Sequence, residues 1–162
     1  MDREEELRAD ELAVEAPPAT DAGLLFIGRI RTPWSSRQDT PRQGSPDGPL
    51  CRIEVFEPWI SALDGLEKCE QIEVLYWLHL SRRDLVRQTP GGGGDARGTF
   101  ALRSPVRPNP IGTSTVTLDH VEGDTVFVRG LDCLDDTPLL DLKPDRCLFT
   151  PRATRRAPAP RT

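Results

Sequence analysis

The chain has 162 residues, of which 36% are hydrophobic and 29% are charged, a composition typical of one soluble globular domain with a core. Its longest apolar run, residues 74–80, contains a histidine and is far too short to cross a bilayer. The acidic start of the chain lacks the basic and apolar regions of a signal peptide. We therefore expect a cytoplasmic protein without membrane association.

The four cysteines are widely spaced, without a Cys-x-x-Cys pair, and the chain has only two histidines. Structural zinc sites use closely spaced cysteine and histidine ligands, so no metal site is expected. In a cytosolic protein of this size, scattered cysteines more often fill the core than carry redox chemistry. We therefore expect Cys51, Cys69, Cys133 and Cys147 to be core residues.

The formal net charge of -5 is distributed unevenly along the chain. Residues 1–22 contain eight carboxylates and two arginines, whereas residues 151–162 contain four arginines and no acid. The body between them is not a nucleic-acid binder by bulk charge, so an RNA contact would need a local arginine surface. The candidates for such a surface are Arg82, Arg83, Arg87, Arg97, Arg103 and Arg107. By charge alone, a solvated surface is the simpler interpretation.

The two ends of the chain have compositions typical of disorder. Residues 1–22 are acidic and interrupted by Pro17-Pro18, which predicts a flexible arm, with a short helix over Glu4–Val14 as its only candidate element. Residues 151–162 are dense in proline, alanine and arginine, which predicts a disordered basic tail. The folded domain is therefore expected at residues 23–150.

Strand patterns dominate this domain, at residues 24–31, 52–56, 71–80, 99–102, 115–121 and 125–129. One short helix is predicted after Pro58, where apolar residues recur at helical spacing until Gly65 interrupts them. The glycine run at 91–94 is followed by a strand pattern, which favours a flexible loop over a phosphate-binding loop. Short strands without regular βαβ alternation predict a mainly β fold, a small antiparallel β-barrel with one short helix.

Residues 98–112 contain two arginines and three prolines between two glycines. Each proline fixes its own φ and restricts the residue before it, so this proline loop has little backbone entropy left to lose on binding. Arg103 and Arg107 are therefore suited to hold a carboxylate, a phosphate or a stacked base. A rigid turn with surface arginines is an equally good interpretation.

Two further polar segments stand out. Residues 131–144 carry Asp132, Asp135, Asp136 and Asp141 close together, where carboxylates can bind ribose hydroxyls or an ammonium group. The same acids can cap turns, which is the simpler interpretation. Residues 40–43, Thr-Pro-Arg-Gln, lie in a loop rich in glycine and proline at 33–49 and by themselves predict only a loop.

Taken together, these segments resemble the TsaA-like family, whose best-known members are the TrmO-type tRNA methyltransferases. The long matches are Phe-Ala-Leu-Arg-Ser-Pro-Val-Arg-Pro-Asn-Pro-Ile-Gly at 100–112 and Gly-Leu-Asp-Cys-Leu-Asp-Asp-Thr-Pro-Leu-Leu-Asp-Leu-Lys-Pro at 130–144. Shorter matches at 27–33, 41–43 and 76–79 keep the family order, and the resemblance covers about residues 24–149. It implies a dimeric β-barrel that binds S-adenosylmethionine and methylates N6 of threonylcarbamoyladenosine beside the anticodon of a tRNA.

The resemblance also implies the site residues. It places cofactor contacts at Pro41, Arg42, Gln43, His79, Leu80, Arg103, Thr113, Leu134, Asp135, Asp136 and Thr137. Arg107 and Asn109 are the corresponding candidates for substrate binding. No catalytic base is identified; His79 is a candidate, although a packed strand histidine is an equal alternative.

Three positions depart from the family pattern. Asp136 stands where glycine is usual, Val106 where a polar residue is common, and Asp145 where an aromatic is frequent. If the family glycine has a positive φ, Asp136 can adopt that geometry at some energetic cost. Two other functions therefore stay open: a methyltransferase acting on a small molecule, and a cofactor-binding module without catalytic activity.

Overall fold

A computed structural model describes residues 7–15, 17–18, 22–90 and 93–145. The strands in this part of the chain are β1 (Leu12–Ala13), β2 (Gly28–Arg31), β3 (Leu50–Val55), β4 (Gln71–Trp77), β5 (Leu85–Gln88), β6 (Arg97–Gly98), β7 (Ile111–Glu122), β8 (Thr125–Arg129) and β9 (Thr137–Pro144). Three short 3₁₀ helices lie at Ile60–Leu63, Leu66–Lys68 and Thr99–Ala101. The predicted basic tail at 151–162 and Cys147 lie outside the described residues.

Six strands close a barrel in the order β2-β3-β8-β7-β4-β9, with antiparallel neighbours throughout. The predicted mainly β barrel is therefore confirmed. Along each strand alternate side chains point inward, as Ile72, Val74 and Tyr76 do on β4. The predicted core positions of Cys51 and Cys133 are confirmed, whereas Cys69 is only partly buried.

Closure of the barrel depends on β9, which the sequence patterns did not predict. This strand pairs with β2 on one side and β4 on the other. It begins at Thr137 and has Pro138 as its second residue, opposite Arg29. Because proline disfavours a strand interior and four aspartates favour turns, the sequence indicated an acidic turn over the whole segment.

Helical structure differs from the expectation in two places. The helix predicted after Pro58 is present, but it forms two 3₁₀ helices because Gly65 between them has a φ of 86°. The strand predicted at 99–102 is wrong, since Thr99–Ala101 is a 3₁₀ helix that Leu102 closes through a 3.1 Å hydrogen bond to the Thr99 carbonyl. The Thr99 hydroxyl is bound on both sides, to Gln88 and to the Leu85 carbonyl, which turns this segment away from the sheet.

A second, three-stranded sheet has the order β1-β5-β6. Its first strand belongs to the predicted N-terminal arm, where the described residues 7–14 form a turn and β1 rather than the candidate helix. The arm contacts β5 through Val14, whose N–H donates to the Asp84 carbonyl at 2.8 Å. Arg8 adds a 3.2 Å hydrogen bond to the Thr89 carbonyl.

The barrel has two dissimilar ends. Three long connections lie at one end: residues 32–49 between β2 and β3, residues 78–110 between β4 and β7, and residues 130–136 between β8 and β9. The other end carries the 56–70 connection and the short β7–β8 hairpin around Gly123. No helix among the described residues is long or apolar enough to span a membrane.

Candidate functional site

The three long connections bring the predicted cofactor residues to one end of the barrel. The first connection carries Pro41, Arg42 and Gln43; the second carries His79, Leu80 and Arg103; the third carries Leu134, Asp135 and Asp136. Thr113 and Thr137 lie near the starts of β7 and β9, the two strands that flank β4. In this antiparallel barrel, successive connections alternate between the two ends. Every second connection therefore lies at the same end, where segments distant in sequence become neighbours.

The third connection, which we call the acidic turn (130–137), is anchored in the barrel interior. Leu131 and Cys133 are buried, and Asp132 between them accepts hydrogen bonds from the Tyr76 hydroxyl at 3.0 Å and the Ser114 hydroxyl at 3.1 Å. Burial and the Asp132 charge raise the pKa of Cys133 to about 12 and raise the pKa of Tyr76 as well. Both groups therefore stay protonated, and Tyr76 acts as a fixed donor that holds the turn.

Gly112 makes this anchor possible. The Tyr76 ring packs on the Gly112 backbone so closely that a Cβ at position 112 would lie 2.2 Å from a ring carbon. Any side chain there would displace the ring and its hydroxyl from Asp132. The glycine that ends the Pro-Ile-Gly motif thus positions the acidic turn across the barrel.

Two roles were predicted for the acidic segment, turn building and ligand binding. Asp135 has the first role, and Asp136 is available for the second. Asp135 builds the turn: its carboxylate accepts from the Thr32 N–H at 3.0 Å and pairs with Arg31 at 3.4 Å. Asp136 has a φ of 63°, so it adopts the left-handed conformation expected if glycine is usual there. Its carboxylate contacts Arg31 at 3.1 Å, yet 64% of its side chain remains exposed. Asp136 is therefore the acid with the most surface available to a ligand.

The first connection docks on the acidic turn through glycine. Gly44 lies against Gly130, and a Cβ on Gly44 would lie 1.7 Å from the Gly130 carbonyl oxygen. The Trp34 carbonyl accepts from the Asp135 N–H at 2.8 Å and fixes the start of the same connection. Pro41, Arg42 and Gln43, which precede Gly44, are exposed beside this contact.

Two hydrogen bonds, one of them from the first connection, hold the start of the second connection just beyond β4. Arg37 donates to the Leu80 carbonyl at 2.8 Å, and the Leu78 N–H donates to the Pro110 carbonyl at 2.8 Å. His79 lies between these contacts, beyond the last residue of β4, and its side chain is exposed. It is therefore not a packed strand histidine and is accessible to a ligand.

The proline loop is held by its own side chains and by the small sheet. Arg107 turns back into the loop, where its Nη1 donates to the carbonyls of Leu102 at 3.2 Å and Ser104 at 3.1 Å. Gln88 on β5 is buried and donates to the Val106 carbonyl at 2.6 Å. Arg107 therefore stabilises the loop from within. The sequence indicated instead an arginine that projects from the loop toward a ligand.

Arg103 and Asn109 are placed differently within the same loop. Arg103 is exposed, and its Nη2 lies 3.5 Å from the Thr113 carbonyl, at the limit of a hydrogen bond. Asn109 accepts from Arg83 at 3.4 Å, and Arg83 lies over the Trp77 ring at 5.4 Å from its centroid. Thr113 donates to Glu73 at 2.7 Å. Arg103 is thus the motif arginine whose guanidinium is most available.

Sequence reasoning missed several residues that build this site. They are Tyr76, Ser114 and Gly44, which contact the predicted residues or hold their loops; Arg83 and Gly112 were expected only as part of an arginine surface and as the end of the proline motif. Alternation along β4 was a usable signal for Tyr76, because it places the ring inside the barrel and a buried tyrosine hydroxyl needs a partner. No comparable signal links Gly44 to Gly130.

The fold and the converging loops define a small antiparallel β-barrel domain with a candidate ligand site built from three loops at one end. The family model described as the tRNA-methyltransferase O N-terminal domain matches residues 29–147. The chain belongs to this family, and the resemblance seen in its motifs is confirmed.

Individual relatives agree with this assignment. The chain is 58% identical to the probable S-adenosyl-L-methionine-binding protein VirR of Rhizobium radiobacter, over 93% of this chain and 86% of that protein. It is 36% identical to the mouse tRNA (adenine(37)-N6)-methyltransferase, over 78% of this chain and 32% of the mouse protein. The crystal structure of TrmO from Pseudomonas aeruginosa superposes with a TM-score of 0.66 at 30% identity, over 87% of this chain and 66% of that chain. The chain thus spans about a third of the mouse protein and about two thirds of the Pseudomonas aeruginosa chain.

Proposed function

We propose that the protein is a methyltransferase that uses S-adenosylmethionine to methylate N6 of adenine 37 in tRNA, with threonylcarbamoyladenosine as the modified base. The observation that carries this proposal is the convergence of the family motifs from three separate connections at one end of the barrel. Family membership supports the enzyme class and the cofactor. The name of the mouse relative supports tRNA as the acceptor.

The side chains at this end of the barrel fit the chemistry of S-adenosylmethionine. The cofactor supplies a methyl group on a sulfonium and offers ribose hydroxyls, an ammonium and a carboxylate. The exposed Asp136 carboxylate suits the ribose hydroxyls or the ammonium, and the exposed Arg103 guanidinium suits the carboxylate. We propose that exposed Pro41, Arg42 and Gln43 cover the bound cofactor, with Leu80 from the end of β4.

The chain's main catalytic task is positioning. Methyl transfer is an in-line displacement, so rate depends on holding the acceptor nitrogen in line with the donor and on keeping water away. The nitrogen of a carbamoylated adenine is a weak nucleophile because its lone pair is delocalised. We propose exposed His79 as the group that accepts its proton, since it lies at the same end of the barrel as the proposed cofactor residues. Arg107 and Asn109 shape the loop that receives the acceptor.

A methyl-acceptor assay tests the proposal. Labelled S-adenosylmethionine, the purified protein and tRNA from a strain lacking the corresponding gene should yield labelled adenosine at position 37. Arg103→Ala should reduce cofactor affinity at least tenfold, roughly 1.4 kcal/mol. Arg97→Ala, an exposed arginine on β6, is the matched control and should leave that affinity unchanged. Label found only in a small molecule, or binding without transfer, would favour the two other functions and contradict this one.

The family resemblance also leads us to propose a homodimer. Light scattering on the purified protein would measure its mass in solution. A mass matching one chain at the concentrations used for the methyl-acceptor assay would contradict this part of the proposal and leave the enzymatic part standing.

A further inference from the structure

A depression lies on the outer wall of the barrel, where the first connection leaves β2 and returns to β3. It has a volume of about 410 Å³. Its lining residues are Arg31, Thr32, Pro33, Pro49, Leu50, Arg52, Phe127 and Asp135. Among the residues assigned to the methyl-donor site, only Asp135 contributes to this lining, so the two sites are neighbours that share one wall.

Two arginines face each other across adjacent strands in this depression. Arg31 on β2 is paired in register with Arg52 on β3, an arrangement of like charges that destabilises a sheet. The Arg31 charge is offset by Asp135 at 3.4 Å and Asp136 at 3.1 Å. Arg52, by contrast, is exposed and makes no ion pair or side-chain hydrogen bond within the part of the chain that the structure describes. The depression therefore presents one uncompensated positive charge.

An aromatic surface continues the same row of residues. Phe127 on β8 is the register partner of Arg52, on the side opposite Arg31. Its ring stacks on His120 of β7, with centroids 4.2 Å apart and planes 9° from parallel. His120 is also bound by Asp119, whose carboxylate lies 2.7 Å from its Nδ1. Pro33, Pro49 and Leu50 supply apolar walls. Rigid rings beside a free arginine are the groups that bind a base and its phosphate.

We propose that this depression binds one nucleotide of the substrate RNA strand, with its phosphate on Arg52 and its base against Phe127 and the neighbouring prolines. The inference rests on the proposed function, because it assigns a second contact to the same tRNA. One uncompensated guanidinium matches the single charge of a backbone phosphodiester, whereas a free nucleoside monophosphate carries more charge. The shared Asp135 wall places the bound nucleotide beside the methyl-donor site.

Binding of tRNA at several salt concentrations tests this inference. Arg52→Ala should weaken tRNA binding roughly tenfold. It should also lower the slope of log affinity against log salt concentration by about one, because one phosphate contact is lost and its counterion is no longer released on binding. Lys68→Ala, an exposed lysine at the opposite end of the barrel, removes the same charge and should change neither quantity. Arg52→Lys should keep the salt dependence and recover part of the affinity, since the charge remains while the planar guanidinium is lost.

Adenosine monophosphate separates an RNA strand from a free nucleotide. We expect it to bind far more weakly than tRNA, and Arg52→Ala should weaken that binding further, because the same guanidinium would hold its phosphate. An Arg52→Ala variant with wild-type tRNA affinity would overturn the inference, as would tight binding of the monophosphate that depends on Arg52 while tRNA binding does not. Cofactor binding by calorimetry keeps the two proposals apart: Arg52→Ala should bind S-adenosylmethionine normally, whereas a wild-type protein without cofactor binding would contradict the proposed function itself.

Discussion

The acidic turn and the proline loop lie at the same end of the barrel and are held in different ways. The acidic turn sends Asp132 into the interior, where Tyr76 and Ser114 bind its carboxylate. The proline loop is instead closed by Arg107 and supported by Gln88 from the small sheet. The geometry of the turn is therefore a property of the barrel core, whereas that of the loop depends on a few local polar contacts.

We therefore expect substitutions in the two motifs to affect different properties: the stability of the barrel for the acidic turn, and the conformation of the loop for the proline loop. Changes to the groups that anchor the acidic turn inside the barrel, such as Tyr76, are expected to destabilise the barrel, because those groups are buried. Changes in the proline loop are expected to loosen the loop while the barrel persists, since local opening needs few buried contacts to break.

Gly112→Ala should have the largest effect. The new Cβ would overlap the Tyr76 ring and displace its hydroxyl from Asp132. Overpacking together with a broken buried hydrogen bond costs about 3 kcal/mol in the free energy of unfolding. Chemical denaturation measures this loss. Gly98→Ala, at the other glycine bounding the proline loop, is the control, since no atom lies within 4 Å of its Cβ. Equal stability of the two variants would contradict the anchoring role of Tyr76.

Gln88→Ala should affect the proline loop more than the barrel. It removes donors to the Thr99 hydroxyl at 2.8 Å and the Val106 carbonyl at 2.6 Å, at a cost of about 2 kcal/mol. Hydrogen exchange should speed up for amides in 99–107 and stay unchanged in β4 and β7. Gln38→Ala, at an exposed position, should change neither. Uniformly faster exchange across both regions would mean that the loop and barrel unfold together.

Gly44→Ala tests the contact between the first connection and the acidic turn. Because its Cβ would collide with the Gly130 carbonyl, residues 41–43 should move away from Asp135 and Asp136. We expect a loss of about tenfold in S-adenosylmethionine affinity, roughly 1.4 kcal/mol, measured by calorimetry. Gly23→Ala, whose Cβ meets no atom within 4 Å, should bind normally. An unchanged affinity in Gly44→Ala would remove residues 41–43 from the cofactor site.

The smallest expected effect is on the pH dependence of stability, through an ion pair beside β5 of the small sheet. Arg82 pairs with Asp84 at 2.8 Å and lowers the pKa of that carboxyl below its ordinary value of 3.8. The stabilisation is therefore complete above the ordinary pKa and is lost as pH falls through the lower value of the folded state. Asp84→Asn should remove this part of the acid dependence of unfolding, less than about 1 kcal/mol because the pair is partly exposed. An identical pH profile for both proteins would show that the pair contributes nothing.

The sequence predicted the barrel largely through alternation. The pattern at 125–129 matches β8 at both ends, and the pattern at 71–80 identifies β4, three residues too long. Strand β9 was missed because Pro138 and the surrounding aspartates resemble a turn. The strands of the small sheet, β1, β5 and β6, are too short to show a period. Strand signals are thus clear where one face is buried in the barrel and weak in the small sheet.

The sequence predicted the three motifs of the candidate site but not their arrangement in space. The residue types in the loops indicated that Arg103 and Asp136 can bind a ligand, and both side chains are exposed. The sequence did not distinguish Arg103 from Arg107, because only the folded loop brings the Leu102 and Ser104 carbonyls within reach of Arg107. It also gave no reason to connect Gly44 with Gly130, since close backbone contacts between distant segments leave no periodic trace.

The hairpin at Gly123 offers a practical handle on this protein. It joins β7 and β8 at the end of the barrel opposite the three long connections, and its glycine has open space around the Cβ position. Loop tips of this kind tolerate insertions well. A fluorophore or surface tether attached there would orient immobilised molecules with the three long connections toward solution, so that ligand binding at that end could be followed on single molecules.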